Sequence, residues 1–244
     1  MQPKISCIVL SKNRAKWLPR LLEIIFASTW KNLEVIIAER ADSGVHADLP
    51  YRAGVTHLKM GGAGIVPRNR EAMLKARGDI IAYVDDDDYF PPNRFELQVE
   101  PLLRGTCSMN GMPRSTLSSF FILENQWARV SWINNPSAPQ GKDPFKGVLP
   151  ALCCSDGTLM FKREKFLGPS DPGLELQKIS FMRTVLTRCI FKAFDGTGLY
   201  GYLRHDRNLS QIHDANWKRE PIPQPSFVPL EQIAFWHSMV KHGS

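Results

Sequence analysis

The 244-residue chain has no apolar run long enough to cross a membrane as a helix. Its longest clean runs, residues 5–10 interrupted by Ser6 and residues 80–84, fall far short of the roughly 18 residues that a span requires. A charged leader followed by a cleavage site is also missing at the N-terminus, which predicts a cytoplasmic rather than a secreted protein. The five cysteines, Cys7, Cys107, Cys153, Cys154 and Cys189, form an odd set without CxxC spacing, so neither a disulfide framework nor a zinc site is expected. Internal repeats and low-complexity segments are absent. So are a helix-turn-helix signature, a zinc finger and a dense basic stripe with stacking aromatics, which argues against nucleic acid as a partner.

What remains is an ordinary globular composition, 43% hydrophobic and 23% charged, of a size that buries a core without staples. The net charge of +7 suits an anionic partner, either a phosphorylated substrate or an acidic membrane surface. Short apolar runs alternate with amphipathic stretches in the first half, the pattern of βαβ units around a parallel sheet. Residues 5–10, 33–38 and 55–59 read as strands. Trp17, Leu18, Leu21, Leu22 and Ile25 mark the buried face of the first helix.

The glycine-rich loop at residues 61–64 opens a second helix, with Val66, Met73 and Ala76 at helical spacing, and Gly78 ends it. Residues 79–84 form a buried strand, and Pro91-Pro92 starts a helix that Pro101 is expected to end. One or two strands follow within 119–133, then a turn-rich loop at 134–147, a helix at 175–191 and a tail helix at 230–240. The division predicted is a nucleotide-binding half at 1–105, an acceptor-binding half at 106–220 and a tail at 221–244.

The buried strand runs straight into Asp85-Asp86-Asp87-Asp88, which puts four carboxylates at a strand's C-terminal end, where open α/β sheets bind ligands. Unpaired carboxylates there repel one another beside a low-dielectric core, and a divalent cation, Mn2+ or Mg2+, is the natural solution. Period-two alternation points Asp85 and Asp87 together at one ion and Asp86 and Asp88 elsewhere. The competing reading is a solvated acidic turn capping the helix at Pro91.

Residues 6–14 (SCIVLSKNR), 32–37 (NLEVII), Pro67-Arg68-Asn69 and 78–88 (GDIIAYVDDDD) together resemble the ordered signature of family 2 glycosyltransferases. The resemblance implies a GT-A (Rossmann-like) fold, α/β with a mixed, mostly parallel central sheet flanked by helices. It also implies a nucleotide-diphospho-sugar donor and a DxD metal site at Asp85 and Asp87, with Asp86 beside the donor. By position, Glu39 falls where the family contacts the nucleobase or ribose, although Glu39-Arg40 replaces the family's pair of acids. Ser11 and Arg14 lie where the family touches the nucleotide, and Arg68 is placed to offset diphosphate charge. Ordinary strand-end and helix-start roles compete for Glu39 and Arg68.

An inverting transfer also needs a base for the acceptor hydroxyl. The nearest match to the family's Glu-Asp is Glu175-Leu176. Glu175 begins the stripe continued by Ile179, Met182 and Leu186, and an acid on an apolar face demands a partner or a task. Its plain role is a first-turn acid; Asp171 and Asp156 stand in reserve. Residues 202–210 resemble the closing motif in which a histidine, here His205, completes the metal shell. Residues 155–161 resemble the strand under the donor sugar.

The acceptor expected is a glycan or a lipid-linked glycan. The tail helix, with Phe235, Trp236, Met239 and Lys241, either packs on the domain or rests peripherally on the inner face of an anionic membrane. Nucleotidyl transfer, or weak binding of nucleotide sugars and anions without turnover, are the rival functions. The first is disfavoured because Ser11-Lys12-Asn13-Arg14 lacks glycine.

Overall fold

A computed structural model of the chain describes residues 2–132, 154–165, 189–205 and 217–241. The leading strands are β1 (Ile5–Lys12), β2 (Leu33–Arg40), β3 (Val55–Lys59) and β4 (Ile80–Val84). They pair in parallel in the order β3-β2-β1-β4. Alternation along β1 decides which helix covers which face. Ile5, Cys7 and Val9 join α1 (Leu18–Phe26) and α3 (Arg94–Leu103) in one core. Ile8 joins Ala72 and Met73 of α2 (Ile65–Lys75) in a second core on the other face. Burial pushes the Cys7 thiol up to about 12, which makes it inert packing.

The sheet continues past β4 through β8 (Met160–Lys162), antiparallel to β4, then β5 (Met109–Gly111) and β9 (Phe191–Ala193), giving seven strands in mixed order. The fold is therefore α/β with a mostly parallel central sheet. A second sheet has the order β10-β6-β7-β11, from β6 (Ser118–Phe121), β7 (Gln126–Trp132), β10 (Gly201–Arg204) and β11 (Trp217–Pro221). Reciprocal backbone hydrogen bonds between Tyr89 and Gly201, at 2.8 and 3.0 Å, tie its β10 edge to the chain leaving β4. That bridge carries residues 200–205 to the aspartates.

Several boundaries differ from the sequence reading, among them the end of α2, which stops at Lys75 before Gly78. Pro101 lies inside α3, which continues to Leu103 because a proline so near the end costs little: Arg104 N–H still reaches Glu100 O, and Gly105 at φ +70° makes the actual stop. The helix expected at 175–191 does not extend through residue 191, since Phe191–Ala193 is strand β9, hydrogen-bonded beside Met109–Gly111. Its remainder, with Glu175 and Asp171, lies outside the described residues, as does the loop at 134–147. The tail helix is α4 (Leu230–Lys241), and it packs on the domain, with Trp236 fully buried. Among the described residues no helix is long and apolar enough to cross a membrane.

Candidate active site

β1 and β4 are neighbours whose C-terminal ends open at the point where the order of strands turns from β1 back to β2 and across to β4, the crevice where such sheets take ligands. Asn13 adopts φ +55°, a conformation that asparagine tolerates, and directs Arg14 across the strand ends. Arg14 Nη1 lies 2.7 Å from Asp86 Oδ1 and 2.5 Å from Asp87 Oδ2. Ser11 Oγ donates to Asp86 Oδ2 at 2.6 Å. His205, whose side chain is 4% exposed, sets Nε2 at 3.0 Å from Asp87 Oδ2 and 3.3 Å from Arg14 Nη2. Trp17 stacks on the imidazole at 6.2 Å between centroids.

The acidic run is thus no solvated turn, since Asp86, Asp87 and Asp88 are all buried. Nor does it alternate as expected. Regular strand stops at Val84 and the chain bends at residues 86–87, so that Asp86 and Asp87, expected on opposite faces, both reach Arg14. Asp88 turns inward to accept from Tyr200 O–H at 2.7 Å and Leu203 N–H at 3.0 Å. Asp85 lies against Gly157, where a Cβ would overlap its carboxylate. Glycine there permits the close approach.

Burial and then the neighbouring carboxylates of Asp87, Asp156 and Asp86 push the Asp85 carboxyl up to about 7. Burial raises Asp86 and Asp88 as well, Asp88 most strongly. Asp87 goes the other way although it shares Arg14 with Asp86: burial opposes ionisation, but the hydrogen bond from His205 and the Arg14 charge outweigh it. Asp87 is therefore the carboxylate whose ionised form its partners favour most.

The sequence profile of glycosyl transferase family 2 matches residues 6–167, about two thirds of the chain. The chain belongs to glycosyl transferase family 2. A Bacillus subtilis relative described as uncharacterized glycosyltransferase YwdF is 33% identical over 99 residues, which is 38% of this chain and 36% of that protein. Crystal structures of S. aureus TarS 1-349 share the fold at low identity. TarS 1-349 itself has 13% identity and a TM-score of 0.54, covering 82% of this chain and 60% of that one. The complex with UDP-GlcNAc has 14% identity and a TM-score of 0.55, covering 86% and 62%. The family 2 chain therefore spans about three fifths of these TarS chains, and its matched segment about a third of YwdF.

The other predicted residues of this family 2 chain are placed less simply. Glu39 pairs in register with Ser11, one strand away, but its carboxylate is fully buried. It accepts from Ala47 N–H at 3.0 and 3.1 Å, and it meets His57 Nε2 at 2.8 Å and His46 Nδ1 at 3.3 Å. It holds the loop after β2 and is not turned toward Arg14. The guanidinium of Arg68 is also spent on backbone, donating to Ser11 O, to Ala38 O at 3.4 Å and to Gly64 O at 3.3 Å. It fastens α2 to the ends of β1 and β2. Asp156 is exposed in the turn before β8, beside Asp85.

Sequence reasoning missed Arg94. It is fully buried beneath the aspartates, donates to Gly157 O at 2.8 Å and Tyr83 O at 3.2 Å, and faces the rings of Phe90 and Tyr200 at 4.7 and 4.9 Å. Tyr200 and Trp236 were missed too. Their partners lie more than a hundred residues away, so no local pattern announces them.

Proposed function

We propose that this protein transfers a sugar from a nucleotide-diphospho-sugar donor to an acceptor hydroxyl on a glycan or lipid-linked glycan. The observation that carries the reading is the convergence of Asp86 and Asp87 on Arg14 Nη1 at the end of β4, with His205 Nε2 on Asp87 and 3.3 Å from Nη2 of the same guanidinium. A guanidinium held between two carboxylates is a stand-in ion, and carboxylate oxygens with an imidazole nitrogen form a donor set suited to Mn2+. As arranged, no group of three or more such side chains among the described residues is set to hold a metal, so a metal requires Arg14 to withdraw.

Asp87 and His205 would hold the ion, which when bound supplies Lewis-acid stabilisation of charge on the departing diphosphate. The chain's own residues do the rest. Arg14, released from the carboxylates, would be free to pair with the diphosphate, for which its planar guanidinium is suited. Ser11 keeps Asp86 oriented, and Gly157, without a side chain, lets the Asp85 carboxylate approach closely. Glu175 takes the proton of the acceptor hydroxyl in an inverting displacement, with Asp156 the described acid nearest the aspartates.

A UDP-sugar is the first donor to try, because TarS of the same fold is seen with UDP-GlcNAc. One observation favours a second reading: a site that already contains its own cation describes a weak, metal-independent binder of nucleotide sugars equally well. A screen of nucleotide sugars for metal-dependent thermal stabilisation and turnover decides between them, followed by Asp87→Ala and Glu175→Ala. Loss of donor binding in the first variant, and loss of turnover with binding retained in the second, are the expected results. A fully active Glu175→Ala would remove Glu175 from its role, and stabilisation by donor without metal or turnover would favour the second reading.

A further inference from the structure

The aspartate cluster is held from behind by α4, a segment that donor chemistry does not call upon. Two separate contacts reach it. Trp236 donates its indole Nε1–H to the backbone carbonyl of Asp87 at 2.9 Å. Phe235, one residue earlier, meets Trp17 edge-on at 5.6 Å between centroids, and Trp17 is the ring stacked on His205. One helix therefore bears on the peptide of Asp87 and, through one intervening ring, on the imidazole of His205.

The helix itself is firmly seated. Trp236 stacks on Phe120 of β6 at 5.8 Å and lies 6.0 Å from Trp127 of β7. On the α1 side, buried Gln232 accepts from Arg20 Nε at 2.9 Å. Trp17, Arg20, Leu21, Asp87, Gln232 and Phe235 line the seam between α1 and α4. The hydrogen bond from Trp236 to Asp87 is buried, and a buried one is costly to leave unmade. It also fixes the Asp87 peptide plane in a bend where β4 has ended and no ladder partner does so, and the peptide plane sets the direction of the Asp87 side chain.

We propose that Trp236 and Phe235 are positioning residues: α4 sets the aim of Asp87 and His205, so that affinity for the metal–nucleotide pair depends on a helix that never touches it. The inference rests on the reading of Asp87 and His205 given above. It differs from a mere packing role in what each substitution should change. Trp236→Phe keeps an aromatic ring in the pocket but cannot donate, whereas Met239→Ala loosens the packing of α4 in the same apolar cluster without touching either route.

The test measures Mn2+ affinity in the presence of UDP by electron paramagnetic resonance of the free ion, together with thermal unfolding, in the full chain. Trp236→Phe should weaken Mn2+ binding about tenfold, the effect typical of losing an outer-shell partner. Phe235→Leu should weaken it by a smaller factor, about threefold. Met239→Ala should lower the melting temperature at least as much as either and leave Mn2+ affinity unchanged. Binding that is equal to wild type in both Trp236→Phe and Phe235→Leu overturns the inference, as does binding that falls in all three variants in step with stability. A wild-type chain that binds no Mn2+ with UDP removes the functional reading and this inference with it; a wild-type chain that binds, with unaffected variants, removes this inference alone.

Discussion

Two acidic sites lie along one edge of the sheet, and they are built in opposite ways. At the end of β2 a single carboxylate, Glu39, is hydrogen-bonded to Ala47 N–H and His57, with His46 beside it. At the end of β4, one strand beyond β1, four carboxylates crowd together, and burial with mutual repulsion pushes three of them toward protonation. A buried acid whose oxygens are fully engaged by protein is a structural fastener. An acidic cluster with more negative charge than its partners relieve is a place built for a further cation or for exchange of the one it has.

The contrast is broken most directly by deleting one acid from each site. Asp87→Ala should lower donor turnover by about a hundredfold or more while the fold survives, read from steady-state transfer and the circular dichroism spectrum. Glu39→Ala should do the reverse. It leaves the Ala47 N–H and His57 without their acceptor inside the protein, and it should cost about 2 to 4 kcal/mol in denaturant unfolding. If Glu39→Ala instead abolishes nucleotide binding at unchanged stability, Glu39 belongs with the donor site after all.

Smaller effects sharpen the same comparison. Gly157→Ala drives a methyl into the Asp85 carboxylate and should cost about 1 to 3 kcal/mol, with weakened donor binding in a thermal-shift titration. Asp85→Asn should stabilise the metal-free protein by about 1 to 3 kcal/mol at pH 8. The sign follows from a folded pKa of about 7 against an ordinary carboxylate value of 3.8. In the folded wild type Asp85 keeps its proton longer than in the unfolded chain, so stability is full below pH 4 and is lost as pH rises toward 7. The advantage of the asparagine should therefore vanish by about pH 4, and an advantage constant across pH would reject the assignment.

Much of this was open to the sequence, and the reason is local. β1, β2 and β4 are buried on both faces and read as continuous apolar runs, and the aspartates follow β4 directly, so both the fold and the place of the site could be seen. The arrangement within the site could not. Alternation predicted that Asp86 points away from Asp87, but it holds only while the strand does, and past the bend after Val84 both reach Arg14. The partners that decide each charge, Arg14 for Asp86 and Asp87, Tyr200 for Asp88, and Trp236 for the Asp87 peptide, are separated by 72 to 149 residues. Arg94 was hidden for a different reason: an arginine beside Phe95 on an amphipathic helix looks solvated until the rings of Phe90 and Tyr200 close over it.

The central claim is that the end of β4 grips a cation that holds the diphosphate of an activated sugar. A crystal structure of the protein with Mn2+ and UDP tests it most directly. The ion should lie on Asp87 and His205, with Arg14 moved from the two carboxylates onto the diphosphate. Nucleotide bound elsewhere, with Arg14 still bridging Asp86 and Asp87, would contradict it.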